Sequence, residues 1–592
     1  MSEPGAAICE IDLQSLTEHG LDISQTGTCC RYRLIDCAAF VDHGKLIIHE
    51  YVNFPQVPYA AVSYVWRGNQ VDPELTGPSF SVKGAEDADP IGLEVLREAC
   101  RASSAHDATH LWLDRLCIMQ TDKEDKQWQI REMYKIYSSC HICVVAPGGT
   151  QRLVRLDEET QWIHRGWTLQ EAVAPPSVVV LFSWKLGQCE AYIGSSFDTR
   201  GVIKEITPKK SAVMSLSLIT DACTTGNLSI QKSDKSLLVE VKLFSSHPSD
   251  RSYREFPFWR PTRRVLSPNV GALARIMRNE VDEEARDYSI WQSALMRTSS
   301  RPVDMVFSIM GLFGVTLDTS RFNSKARVPA TIALAQEILK KDGRGRATWL
   351  AAAFRIPPSR QISTFPVFPR TSVAGKAEVK IADGLQEVSL LMENEYPVAR
   401  ALVPMPCATM DENGYLSFTA KAVRLDPSPA NTSPSSSNLS KPDYVKAIDE
   451  SCWKICEDQD VTKGQIFAVL VGFFVGYYPG STPAEDANNI RAMIVQEHAP
   501  GKSHVRSYLT LSLKAKNWAN GWPERTFCIG GPDVKAIEED KDSEVLPRIP
   551  LAREQYLNNP RHMLRPNPTL EDLETRRARW AISQKVLERE YG

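Results

Sequence analysis

The chain holds 592 residues, 43% hydrophobic and 24% charged, with 69 Lys and Arg against 72 Asp and Glu for a formal net charge of −3. That length exceeds what one hydrophobic core organises, so about two to four domains are expected. So even a charge balance leaves no electrostatic footprint for a polyanion, and nucleic-acid binding starts without support.

The opening residues, MSEPGAAICEIDLQSLTEHG, lack a basic stretch followed by an apolar one, so no secretory signal is read there. The longest apolar run, Ile466 to Tyr478, has thirteen residues, short of the ~20 that cross a bilayer. It reads as a buried strand. A cytoplasmic protein without a membrane span is expected, its fourteen cysteines reduced and packed as small hydrophobes. Cys140 and Cys143 flank the start of a strand, where alternation turns them to opposite faces. Cys452 and Cys456 could share a helix face at i, i+4, but no second pair at ligand spacing accompanies them. No metal site is expected from either pair.

In chain order, YAAVSYVW (Tyr59 to Trp66) is rich in β-branched and aromatic residues and reads as a strand. Ile91 to Ser103 places Leu93, Val95, Leu96 and Cys100 near one helical face. HLWLD (His110 to Asp114) is a second strand. Lys123 to Ser138 follows as an amphipathic helix with Ile130, Met133, Ile136 and Tyr137 inward. ICVVA (Ile142 to Ala146) is a third strand, ended by Pro147-Gly148-Gly149. Gln161 to Val173 is a third helix, stopped by Pro175-Pro176, and VVVLF (Val178 to Phe182) is a fourth strand. Strands alternating with such helices imply right-handed βαβ units and an α/β domain built on a mostly parallel sheet. Ligands of such sheets bind outside the carboxyl ends of the strands, where Trp66, Asp114 and Gly148 fall.

The N-terminal domain is expected over residues 1–200, with its core at 59–182. A mainly helical middle region, 201–425, carries helices at Val281 to Met296, Pro302 to Phe313 and Pro329 to Lys341. Gly343 to Arg346, GRGR, follows a helix and reads as a C-cap and turn, not a phosphate loop. Residues 426–442, DPSPANTSPSSSNLSKP, form a linker. An α+β region, 443–592, follows with strand-like runs at 464–478, 489–495 and 506–513. Thr569 to Tyr591 closes it as a helix with a capping-box pattern at Thr569 and Asp572.

Three segments of the first domain carry a family resemblance. YAAVSYVWRGNQ (Tyr59 to Gln70) is similar to a strand followed by an S-Y-x-W-G element. LWLDRLCIMQTDKEDKQWQIREMYKIYSSCHICVV (Leu111 to Val145) resembles a W-I-D-x-L-C-I-N-Q block with its acidic turn and Q-I-x-x-M-x-x-I-Y helix. HRGWTLQEAVAPPSVVVL (His164 to Leu181) resembles an R-G-W-T-L-Q-E element. In this order they resemble the signature blocks of the HET domain, the fungal heterokaryon incompatibility module. SSRPVDMVFSIMGLFG (Ser299 to Gly314) is similar to a block common downstream of it. Two positions depart from the pattern: Arg67 intrudes between Trp66 and Gly68, and Met119 stands where the family has asparagine.

The resemblance implies a distant kinship to TIR domains, with their flavodoxin-like parallel sheet, and a role in self/non-self recognition and cell death. It also implies a chemistry, since some TIR domains cleave NAD at the nicotinamide–ribose bond with one helical glutamate in a W-x-x-x-E setting. Trp167 and Glu171 reproduce that spacing and at i, i+4 share one helical face. On this reading Glu171 is catalytic, and Ser63, Tyr64, Trp66, Asp114 and Trp167 contact the substrate. NAD is then a substrate and no bound cofactor is needed. Structural roles compete: Trp167 and Leu169 packing the helix, Glu171 solvated, Asp114 capping a turn, Tyr64 and Trp66 as core aromatics. A thiol nucleophile at Cys117, with His110 or His164, suffers from its apolar context, and no G-x-S-x-G is present for a serine hydrolase. The alternative to an enzyme is a signalling or self-associating module whose residues 200–592 recognise a protein partner.

Overall fold

The computed structural model describes residues 5–71, 77–193, 199–232, 235–244, 268–277, 283–341, 347–352, 377–381, 384–392, 395–397, 407–428, 439–449, 451–456, 465–476 and 488–530. They fall into two compact units, one running to Val270 and including Asp318–Arg321, the other made of Gly271–Leu317 and residues from Phe322 onward.

The first unit is an α/β structure on one twelve-stranded sheet. Its elements are β1 (Ala6–Asp12), α1 (Leu13–His19), β2 (Tyr32–Asp36), α2 (Cys37–Asp42), β3 (Lys45–Tyr51), β4 (Tyr59–Tyr64), β5 (Ser79–Phe80), β6 (Ile91–Gly92) and α3 (Leu93–Ser104). There follow β7 (His110–Trp112), α4 (Asp114–Cys117), α5 (Lys123–Ser139), β8 (Ile142–Ala146), α6 (Trp167–Val173), β9 (Val178–Ser183), β10 (Cys189–Ile193), β11 (Thr199–Thr207), β12 (Ser211–Ser215), α7 (Leu216–Thr225), β13 (Asn227–Lys232) and β14 (Lys235–Glu240).

Only the centre of this sheet is parallel. β4 pairs in parallel with β7 on one side and β8 on the other, and β8 with β9. β2 and β12 join these strands antiparallel, at β7 and β9 respectively. The expectation of a mostly parallel sheet thus holds for four strands and fails at both flanks. The reason is legible in burial. All of β4 and β8 is buried, as befits strands covered on both faces, whereas β10 alternates buried with more exposed positions and β11 buries only Ile203, as antiparallel strands facing water do.

In chain order the parallel strands lie second, first, third, fourth. The chain leaves β4 for β7 through α3, then returns past β4 to β8 through α5. Right-handed crossovers in opposite directions put α3 on one face and α5 on the other. Strand order therefore reverses between β4 and β8, the place where an open α/β sheet offers a crevice. Helix α5 is capped at its N-terminus by Asp122, whose side chain accepts from Asp125 N–H. Asp125, itself buried, pairs at 3.1 Å with the buried Arg33 of β2.

The Gln161 to Val173 helix is broken. A 3₁₀ turn, Trp162–His164, precedes α6, and Arg165 between them is extended. Residues 199–232 and 235–240 are strands with one helix and extend the first unit's sheet, and strands return between Glu378 and Pro427, so the expected helices lie among the described residues between 283 and 340. There Glu283–Leu295, Asp304–Met310 with its 3₁₀ extension Gly311–Phe313, and Arg327–Lys340 match the expected helices within a few residues.

The second unit's main sheet is antiparallel apart from one short parallel contact. Ile466–Gly476 pairs with Asn488–Ala499, which pairs with Lys502–Ser512. The strand Leu416–Pro427 pairs with both Glu524–Ile529 and Ile466–Gly476, and one parallel register pair, Ser503 with Ile529, closes the ladder into a ring. Leu425, Trp453, Ile490, Ile494 and Leu509 pack its core. Cys452–Cys456 is a strand, not a helix, so those two cysteines do not share a helical face. GRGR, most of the proposed linker and the Thr569 to Tyr591 helix lie outside the described residues. Among the described residues no helix is long and apolar enough to cross a membrane.

Candidate active site at the strand ends

Strand β4 delivers two polar side chains at its carboxyl end, and alternation sends them to opposite faces. Ser63 is fully buried. Its Oγ donates to Glu171 Oε2 at 2.5 Å and accepts from Trp162 Nε1 at 2.8 Å. The indole, hydroxyl and carboxylate thus form a directed chain from the 3₁₀ turn through β4 to α6. Within α6, Thr168, Leu169, Gln170 and Ala172 are buried, whereas Trp167 and Glu171 are partly exposed. The i, i+4 pair therefore occupies one stripe on the less buried side of the helix, as its spacing requires.

Tyr64, on the other face, donates to Asp114 Oδ1 and accepts from Arg115 Nε at 2.8 Å. Trp66 Nε1 donates to the second oxygen, Asp114 Oδ2, at 2.8 Å. Asp114 also accepts from Arg115 N–H at 2.6 Å, so both its oxygens are held while it remains partly exposed just beyond β7. Arg115 is buried and satisfied: its guanidinium reaches Thr150 Oγ1 at 2.6 Å and the Asp89 carbonyl, and lies 5.0 Å over the Tyr64 ring. Burial pushes the Tyr64 phenol well up, against the pull of Arg115. The Tyr137 phenol is also pushed well up, by burial first and then by the charges of Glu171 and Asp114. Tyr137 thus lies within electrostatic reach of both carboxylates, and its hydroxyl donates to the Val62 carbonyl at 3.0 Å.

Between β4 and β8 the following loops meet backbone to backbone. A Cβ on Gly68 would stand 2.0 Å from the Gly148 carbonyl oxygen, and one on Gly148 would stand 2.1 Å from Val154 Cγ1. Gly149 has φ +93, a conformation that side chains other than glycine's strain to adopt. Asn69 N–H donates to the Gly148 carbonyl at 2.9 Å and Gly68 N–H to Asp89 Oδ2 at 2.7 Å. These contacts fix where the loops run at the point of reversal.

All six residues expected at the site thus lie at the ends of β4 and β7 or on α6. Five are joined in two hydrogen-bonded clusters, Ser63–Glu171 and Tyr64–Trp66–Asp114, while Trp167 stands beside Glu171 on its helix. Trp162, Arg115 and Thr150 were missed. Trp162 lies in a stretch read as continuous helix, and nothing in local spacing links Arg115 to Thr150. The thiol alternative is disfavoured: Cys117 is fully buried, and burial pushes its thiol up to about 12. The two departures are placed as well. Arg67 is exposed and donates to the Asp87 carbonyl. Met119 is buried, and a Cβ on Gly27 would meet its sulfur at 3.1 Å.

Residues 59–159 match the family model described as heterokaryon incompatibility protein (HET). This part of the chain is a HET domain. The HET match contains Ser63, Tyr64, Trp66, Asp114 and Arg115, and it ends before Trp162, Trp167 and Glu171. Two curated relatives agree with it. Heterokaryon incompatibility protein 6, OR allele, of Neurospora crassa is 33% identical over 98 residues, which are 15% of this chain and 14% of that protein. Vegetative incompatibility protein HET-E-1 of Podospora anserina is 25% identical over 132 residues, 20% of this chain and 9% of that protein. The chain therefore matches well under two thirds of either relative's length. No solved structure matches the chain.

Proposed function

We propose that this chain acts in fungal self/non-self recognition and programmed cell death, and that its HET domain cleaves NAD or a related dinucleotide at the nicotinamide–ribose bond, with Glu171 as the catalytic carboxylate. The observation that carries this reading is the Trp162–Ser63–Glu171 chain. It holds a partly exposed carboxylate against the end of a parallel strand, beside the point where strand order reverses. The parallel strand order, second, first, third, fourth, is the one the flavodoxin-like arrangement uses, which favours the TIR-like kinship.

The chemistry asks little else of the protein. Departure of nicotinamide develops oxocarbenium character on the ribose, which a nearby carboxylate stabilises until water adds at the anomeric carbon and gives up a proton. Nicotinamide leaves as a neutral molecule, so no strong general acid is needed. Ser63 orients Glu171 by donating to it. On this reading Asp114, partly exposed at the end of β7, accepts from a ribose hydroxyl, and the partly exposed Trp66 and Trp167 give flat apolar surface for a ring. The test is nicotinamide release from NAD and NADP by the concentrated full-length protein, beside an active TIR hydrolase. Intact substrates under conditions where the control cleaves them would sink the enzymatic reading.

A second reading keeps the incompatibility role without catalysis: the HET domain self-associates or signals, and residues 200–592 recognise a protein partner. The long helix α5, with few buried positions along its 17 residues, supplies the surface. On this reading Glu171→Gln leaves toxicity unchanged and charge reversals on α5 abolish it. Equal toxicity of both variants would dispose of it.

A further inference from the structure

At the opposite end of β7 from Asp114, three metal-binding side chains from three strands converge on one face of the sheet. Asp36 ends β2 and is the direct cross-strand partner of His110, the first residue of β7. His49 of β3 is paired with Leu34, two residues before Asp36 and so on the same face. The ligand atoms of Asp36, His49 and His110 all lie within 4.8 Å of one another, and all three residues are partly buried. We propose that Asp36, His49 and His110 form a binding site for a first-row divalent cation, zinc foremost.

Two imidazoles and one carboxylate are a donor set that zinc takes with a water in the fourth position. Zinc bonds of ~2.0–2.1 Å at tetrahedral angles hold ligand atoms about 3.3 Å apart. His49 Nε2 and Asp36 Oδ2 already stand at 3.9 Å, so small side-chain rotations close the site. The outer contacts are those that orient metal ligands. Asp36 Oδ1 accepts from Ala39 N–H at 2.9 Å, which fixes the carboxylate and leaves Oδ2 turned to His49. Thr109 Oγ1 donates to the Pro58 carbonyl at 3.2 Å and contacts His110 Nδ1 at 2.9 Å. With its proton committed, the hydroxyl accepts from Nδ1–H, so His110 carries its lone pair on Nε2. Positions 36, 49 and 110 make no sequence motif, because only the pairing of β2 with β3 and β7 assembles them. A cation there would tie the antiparallel flank to the parallel centre of the sheet, at the other end of the short strand β7 from Asp114.

The experiment uses the full chain, stripped with chelator, reloaded with Zn²⁺ or Co²⁺ and dialysed. About one equivalent of metal is expected, with Co²⁺ ligand-field bands and no thiolate charge-transfer band, and a rise in the unfolding temperature on Zn²⁺ addition. His49→Gln and His110→Gln should each weaken binding at least ~10-fold. Asp36→Asn, which retains an oxygen for the Ala39 N–H, should do the same without loss of folding. Unchanged binding in these variants, thiolate bands in the Co²⁺ spectrum, or no retained metal in the wild-type chain would each overturn the assignment. The wild-type spectrum decides even where a variant folds poorly.

Discussion

Ser63 Oγ lies 2.5 Å from Glu171 Oε2, although the two residues are 108 positions apart and belong to a central strand and to the helix leading into the last parallel strand. This hydroxyl has no freedom to serve another role, since it is fully buried and also receives the Trp162 indole N–H. It ties the matched HET segment to the helix that follows it, and it sets the position of the carboxylate on which the proposed chemistry depends.

Replacing Ser63 with alanine should therefore cost more than one exposed hydrogen bond. The buried Trp162 N–H loses its acceptor and Glu171 loses the Ser63 hydroxyl, a penalty of about 1–3 kcal/mol. Denaturant unfolding of Ser63→Ala checks this, and Ser63→Thr, which restores a hydroxyl, should recover part of the loss. A midpoint unchanged in Ser63→Ala would mean that the contact does not hold α6 in place.

The glycine contact between the loops after β4 and β8 predicts a specific rescue. Gly148→Ala drives a methyl to 2.1 Å from Val154 Cγ1 and should destabilise by about 1–3 kcal/mol, as overpacking does. Trimming the offending group in Gly148→Ala/Val154→Ala should return part of that stability, so the double mutant should be more stable than additivity allows. Strict additivity in thermal unfolding would contradict the packing described.

In the second unit, burial raises Asp287 from its usual 3.8 to about 7, with the like charges of Glu283 and Glu284 adding to the shift and Arg286 and Lys341 opposing it. The folded chain then keeps a proton that the unfolded chain has lost. This group's effect on stability is thus unfavourable as pH rises from about 4 to about 7 and constant above that. Asp287→Asn should raise stability at pH 8, by on the order of 1 kcal/mol, and change it little at pH 4. Unfolding curves of both proteins at the two pH values decide it; a gain at pH 4 alone would contradict the assignment.

Much of the central sheet was legible because its strands are short, mostly apolar runs separated by helices of ordinary length. Tyr59 to Tyr64 and Ile142 to Ala146 could scarcely be anything else. The antiparallel flanks were not legible, because pairing such as that of β2 with β7 depends on register between distant segments and leaves no local pattern. The helix at Gln161 to Val173 misled for a related reason. Its apolar periodicity runs through His164-Arg165-Gly166, and the break there follows from tertiary contacts, with Trp162 turned inward to Ser63 and Thr168 Oγ1 donating to the Trp162 and Arg165 carbonyls. The candidate site residues were found through motif resemblance, and strand-end geometry told which of them could meet. The buried partners Trp162, Arg115 and Thr150, and the Asp36–His49–His110 cluster, required the fold.

The most direct measurement is the NAD content and viability of yeast expressing the wild-type chain or its Glu171→Gln variant at matched protein levels. The account predicts that wild-type expression depletes NAD and kills, and that Glu171→Gln, which keeps an oxygen for Ser63 but not the charge, does neither. Cell death with undiminished NAD, or equal depletion by both chains, would contradict it.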